Sequence, residues 1–148
     1  NGQIGGFREM QRPLERLLSD DLYQTRQGST DSELFFLLLL QYGLLSSVDV
    51  AFGKVIGLLE NMRKKMSITS PLRIAVVIAN GKGLFGLRYA SDQYSPILYL
   101  SRELDNGGVS IASEPLDSNR ENWSLIAPSC LVEVRGDGVV DERVVTLS

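Results

Sequence analysis

The sequence predicts an α+β domain in which helices come first and antiparallel strands follow. Three observations predict it. Residues 1–66 carry apolar side chains at helical spacing, and near residues 67–71 this texture gives way to short alternating or β-branched runs. An Asn-Gly pair between two such runs then marks a hairpin, and helices packed on meandering strands form the layers of an α+β domain.

Each helix has its own signal. Phe7, Met10, Leu14, Leu17 and Leu18 recur at roughly helical spacing, although Pro13 removes a donor and predicts a late start or a kink. Thr30-Asp31-Ser32-Glu33 has the form of a capping box, a threonine N-cap with a glutamate three residues on. It opens a second helix over residues 34–42, which Gly43 can end. A third helix places Val48, Phe52, Val55, Ile56, Leu59 and Met62 on one face, with Glu60, Arg63 and Lys64 outside it. Arg63-Lys64-Lys65 reads as a solvated helix end favoured by the macrodipole.

The strands follow in order. Residues 72–79 and 84–90 flank Asn80-Gly81-Lys82-Gly83, where the Asn-Gly pair supplies the positive φ angles of a tight turn. Further strands are predicted at 96–100, 109–113, 130–135 and 139–146, the last two joined by Gly136-Asp137-Gly138. Residues 1–148 read as a single domain, since a chain this long with 43% apolar residues suffices for one core and leaves little room for a second.

Composition excludes several functions. Fifteen Lys and Arg against 18 Asp and Glu give a net charge of −3, and no basic stripe is present to follow a phosphate backbone, so nucleic acid is not an expected partner. Without histidine the chain has no Ser-His-Asp triad and no His-dependent metal site, and no cofactor is expected. The single cysteine, Cys130, forms no internal disulfide, which fits a reducing, cytoplasmic setting. Its apolar neighbours in Ser129-Cys130-Leu131-Val132 mark it as a buried structural thiol. The longest apolar run, residues 34–40, is far short of the ~20 residues that cross a bilayer, and no signal peptide opens the sequence. The opening Asn1-Gly2-Gln3-Ile4 has no methionine and reads as an internal cut in a longer protein.

That opening and the capping box together resemble a known pair of motifs. Class II glutamine amidotransferases carry a His-Asn-Gly segment followed by a helix, then a Ser/Thr-Asp-Ser/Thr-Glu element opening the next helix. Here these stand as Asn1-Gly2-Gln3-Ile4 and Ser29-Thr30-Asp31-Ser32-Glu33. The resemblance continues through Leu84-Phe85-Gly86-Leu87-Arg88-Tyr89-Ala90-Ser91-Asp92, Ser113-Glu114-Pro115-Leu116, Asn122-Trp123 and the closing hairpin. These later blocks resemble the stand-alone, hydrolase-like branch of the family.

The resemblance implies part of a four-layer αββα sandwich of the N-terminal-nucleophile type, acting on the γ-amide of glutamine or a γ-glutamyl compound. In that family an N-terminal cysteine attacks the amide, its own α-amino group serving as base. Asn1 and Gly2 match the oxyanion-hole positions, and Asp31 matches the position that pairs with the substrate's α-ammonium. Arg88, Tyr89 and Glu114 are weaker candidates for the far side of the substrate. The nucleophile, an upstream arginine and the first strands are expected on a preceding segment, so that this chain alone is expected to be inactive. A homodimer is compatible with this reading. Two alternatives stand beside it: a noncatalytic protein-binding module of the same fold, and an ammonia-donating subunit of a synthetase.

Overall fold

The computed structural model describes residues 2–102, 104, 108–138 and 140–148. Two compact units make up the chain, one of Gln3–Pro71 with Val145–Ser148 and the other of Leu72–Val144 with the residues before Gln3.

In the first unit a short strand β1 (Gly2–Ile4), whose Gly2 belongs to the second unit, leads into four helices: α1 (Phe7–Glu15), α2 (Asp20–Thr25), α3 (Asp31–Gln41) and α4 (Val48–Lys65). The late start predicted for α1 is corrected, because the helix begins at Phe7, before Pro13, and runs through it. Met10 and Leu14, one helical turn apart, are fully buried and hold the helix in place. Leu17 and Leu18 lie in the turn that follows, their amides donating to Leu14 O and Glu15 O. No periodicity announced α2, which buries no side chain and is opened by the Ser19 hydroxyl accepting from Leu22 N.

Helix α3 starts at the predicted cap, where Thr30 Oγ1 accepts from Glu33 N at 3.3 Å. It buries Leu34, Phe35, Leu37, Leu38 and Leu39, so most of its circumference is core. Against it stands α4, with the Phe35 and Phe52 rings 6.2 Å apart and Phe52, Val55, Ile56 and Leu59 fully buried. The solvated end read at Arg63-Lys64-Lys65 is corrected at Arg63. That side chain is buried, pairs with Glu60 at 2.7 Å and donates to the Ser70 carbonyl, while Lys64 and Lys65 remain exposed. The strand predicted over 139–146 ends at Val144, and Val145–Ser148 pack on α4 at Gly53 and Gly57. A methyl group at either glycine would come within 2.2 and 2.3 Å of the carbonyls of Thr146 and Ser148.

Among its described residues the second unit holds seven strands: β2 (Leu72–Ala79), β3 (Gly83–Ala90), β4 (Tyr99–Ser101), β5 (Ile111–Ala112), β6 (Trp123–Leu125), β7 (Cys130–Arg135) and β8 (Val140–Val144). The larger sheet is antiparallel from β2 through β3 and β7 to β8, and Gly2 lies on its β2 side. A smaller antiparallel sheet has the order β5-β4-β6. Between the two sheets Ala75, Cys130, Val132 and Val134 meet Leu98, Leu100 and Ile126, which form the interlayer core. The alternate residues Leu72, Ile74, Leu87, Tyr89 and Leu131, on the other face of the large sheet, are buried as well.

At the β2–β3 hairpin the register Ala79↔Leu84 and the bond from Asn80 N to Gly83 O leave Gly81 and Lys82 as the two turn residues. Only Gly81 carries a positive φ, +77°, the pattern of a turn with glycine at its first central position. Asn80 therefore does not share the positive φ that the sequence assigned to the pair. It contributes its side chain instead, with Oδ1 accepting from Lys82 N and Gly83 N.

Leu38, fully buried in α3, and Phe36, 44% exposed on the same helix, define a paired test of this core. Leu38→Asp should lose about 3–5 kcal/mol because a charge is buried without a partner, whereas Phe36→Asp should lose less than about 1 kcal/mol. Urea unfolding of the two variants measures the difference, and near-equal midpoints would contradict the packing of α3.

Candidate functional site

The loop entering α3 is organised by charge. Glu33, in the first turn, does not reach back to the Thr30 amide as a full capping box would. Its carboxylate accepts from Gln27 N at 2.8 Å and from Gly28 N at 2.9 Å. Gln27 N–H, then Gly28 N–H and Arg26, hold the Glu33 carboxyl below its ordinary value, against a smaller opposing effect of desolvation. Arg26 lies 3.6 Å from Glu33 and also pairs closely with Glu15, whose carboxyl is lowered chiefly by that hydrogen bond. One arginine thus ties α1 to the loop, and the loop to α3.

Asp31 stands on this support at the start of α3. Its Oδ1 accepts from Ser32 N at 2.9 Å and its Oδ2 from Ile4 N at 3.3 Å, so the carboxylate joins the helix start to β1. Oδ1 also accepts from the Ser32 hydroxyl at 3.4 Å, and Asp31 is only partly buried. A cation approaching the helix start can be received there.

The other sequence candidates are placed differently. Asn1 lies outside the described residues. Gly2, in the sheet unit, has φ +149°, and a Cβ there would stand 2.3 Å from the Arg73 carbonyl oxygen, so only glycine fits against that backbone. Arg88 and Tyr89 are neighbours on β3 and point to opposite faces of the sheet, so a site on one face receives only one of them. Arg88 is buried and donates to main-chain carbonyls, to Pro96 O at 2.6 Å and to Ile126 O at 2.5 Å. It thereby holds the segment before β4 and the end of β6 to β3. Glu114 is exposed in the loop after β5. Sequence reasoning missed Arg26 and the loop-binding role of Glu33, for which Gly28 beside the capping box was the available signal.

Cys130 is buried on β7. Desolvation, and then the charge of Glu142, push its thiol above the ordinary value, which disfavours the thiolate that a nucleophile needs. Among the described residues no cluster of His, Cys, Asp and Glu is arranged to hold a metal ion, and no helix is long and apolar enough to cross a membrane.

No family model and no curated protein matches the chain. Among solved structures, a glutamine aminotransferase class-II domain protein from Silicibacter pomeroyi is similar along all of it, with a TM-score of 0.91 and 31% identity. The chain has a class II glutamine amidotransferase-like fold. It spans 66% of the length of that neighbour, so a third of the larger protein has no counterpart in these residues.

Within this amidotransferase-like fold the acid sensitivity of the α3 entrance follows from the lowered carboxyls. Glu15 and Glu33 are both below their ordinary values, so the stability they confer is present above the unfolded-state glutamate value and is lost as pH falls through the lowered folded values. Amide exchange at Gln27 and Gly28, corrected for intrinsic rates, should therefore accelerate below about pH 4.5. Glu33→Gln should abolish most of that pH dependence. Exchange independent of pH in the unsubstituted chain would contradict the role of Glu33.

Proposed function

We propose that the complete protein acts as a glutamine amidotransferase-like hydrolase on the γ-amide of glutamine or a γ-glutamyl compound. The observation that carries this reading is Asp31, held by Ile4 N and Ser32 N at the start of α3, in a chain all of which is matched, at 31% identity, by a glutamine aminotransferase class-II domain protein. Asp31 pairs with the substrate's α-ammonium, a charge-assisted contact strengthened by its fixed geometry. Asn1 and Gly2 present N–H groups to the oxygen that becomes negative when the amide is attacked.

The attacking atom is a cysteine sulfur from a segment preceding these residues. Sulfur bonds to the carbonyl carbon of the γ-amide as the thiol proton passes through the α-amino group to the departing nitrogen, and the carbon–nitrogen bond breaks to release ammonia. Water then attacks the thioester, yielding the γ-carboxylate and regenerating the thiol. Cys130 does not serve this step, because burial and Glu142 disfavour its thiolate. Arg88 contributes by holding loops in place, as its bonds to Pro96 O and Ile126 O support.

Two measurements test the reading. In the complete protein, Asp31→Asn should raise the Michaelis constant for glutamine or a γ-glutamyl peptide by roughly 30- to 150-fold, equivalent to about 2–3 kcal/mol, without altering the fold. An unchanged constant in a folded variant would remove Asp31 from the site. The 148-residue chain alone should release ammonia from glutamine at background rate, before and after Cys130→Ser. Robust turnover that survives Cys130→Ser would show that the nucleophile lies elsewhere within these residues, and turnover abolished by it would make Cys130 the nucleophile.

A further inference from the structure

Gly2 lies against β2, and side chains just after β3 fix β2 at that point. The amide of Leu72 donates to Ser91 Oγ at 2.9 Å and its carbonyl accepts from Ser91 N at 2.8 Å, closing the end of β3 on the start of β2. One residue on, Arg73 pairs with Asp92 in fork geometry, Nη2 to Oδ2 at 2.6 Å and Nε to Oδ1 at 3.2 Å. Its guanidinium also lies over the Tyr94 ring, 5.3 Å from the centroid. Tyr94 N donates to Asp92 Oδ1 at 3.2 Å, so guanidinium, carboxylate and ring hold one another. The bond from Arg73, above all, keeps the Asp92 carboxyl below its ordinary value. A lone surface ion pair contributes little, but a bidentate pair braced by a ring leaves few orientations to the residue that carries it.

The same residue carries the backbone that Gly2 meets. A Cβ on Gly2 would stand 2.3 Å from the Arg73 carbonyl oxygen and 3.1 Å from Ile74 Cα, so Gly2 rests on the peptide that links these two residues. On the amidotransferase reading proposed above, Gly2 N–H is one donor of the oxyanion hole, and such a donor works only at hydrogen-bond distance from the place where the negative oxygen forms. We propose that Arg73 is a positioning residue for that hole: clamped by Asp92 and Tyr94, it fixes the strand backbone on which Gly2 rests and thereby the aim of the Gly2 N–H. Arg73 does not itself receive the substrate, because Asp92 occupies the fork of its guanidinium. The hole meets the amide oxygen at full strength only once that oxygen is negative, so a displaced donor slows the chemical step and leaves ground-state binding as it was.

Kinetics and relaxation of the complete protein test this together. Arg73→Met should lower kcat for glutamine by roughly tenfold, counted per active site titrated with a thiol-reactive glutamine analogue, with the Michaelis constant within about twofold of its original value. Asp92→Asn should act in the same direction, and Arg73→Lys, which keeps one charged contact with Asp92, should recover kcat to within about threefold. Titration counts only folded, reactive sites, so a loss of stability alone does not give this pattern. Nitrogen relaxation of the Gly2 amide, measured without substrate, reads the clamp apart from turnover: its order parameter should fall from about 0.85 toward about 0.6 in Arg73→Met. An unchanged kcat, a Michaelis constant that rises instead, or a Gly2 amide as rigid as before overturns the positioning role. An unsubstituted protein that releases no ammonia overturns the amidotransferase reading and the oxyanion role with it, whatever the Gly2 order parameter shows. Should Arg73→Met not fold, Asp92→Asn, which leaves the strand residue in place, decides by the same two measurements.

Discussion

Burial of β3 on both faces is the constraint on which the sheet unit depends. Gly83-Leu84-Phe85-Gly86-Leu87-Arg88-Tyr89-Ala90 pairs with β2 on one side and β7 on the other, and five consecutive residues from Phe85 to Tyr89 are buried. A strand in that position cannot alternate apolar and polar residues, because neither face is free to meet water. Its one charged residue must then be satisfied inside the protein. Arg88 meets this demand through the carbonyls of Pro96 and Ile126, so the guanidinium that the strand buries also fixes the segments leading into and out of the smaller sheet. Removing it would leave the buried Ile126 carbonyl without this donor, which costs more than the bond itself contributes.

The legibility of this fold in the sequence varied with the length and kind of each signal. The cap at Thr30 and the Asn-Gly turn rest on local chemistry, and both stand where the sequence put them, although Glu33 and Asn80 use their side chains differently from the expected pattern. Cys130–Arg135 was readable because six residues are enough to show a strand. Trp123–Leu125 was missed because three residues show no period, and Tyr99–Ser101 and Ile111–Ala112 are shorter than the runs predicted for them. Arg63 looked solvated because charge sequence alone cannot show a carbonyl brought back by the following loop, as that of Ser70 is. Packing of Val145–Ser148 on α4 left a trace only in the spacing of Gly53 and Gly57, which composition does not distinguish from chance.

Gly2, in the sheet unit, and Asp31, in the helical unit, are held by different constraints. At Gly2 the Arg73 backbone requires a glycine for purely steric reasons, so the identity of that residue carries no information about substrate. Asp31 is different. An acid at the start of a helix is ordinary, but this one has a loop built around it: Arg26, Glu15 and Glu33 fix the chain that leads to it, and Ile4 N aligns one of its oxygens. Such support limits the side chain to few orientations, which is what a group that recognises a cation needs and what a solvated helix acid lacks.

Cys130 and Asp31 stand in opposite settings. A nucleophilic thiol requires an electropositive, accessible setting, and Cys130 has the reverse: an apolar interlayer core with the Glu142 carboxylate beside it. Any change that made this thiol reactive would have to open the contact with Ala75, Val132 and Ile126 that joins the two sheets. Asp31 carries no such conflict, because its support comes from the main-chain donors Ile4 N and Ser32 N. In the proposed function Asp31 holds the charged substrate while the sheet core stays closed, and the reactive sulfur comes from outside that core.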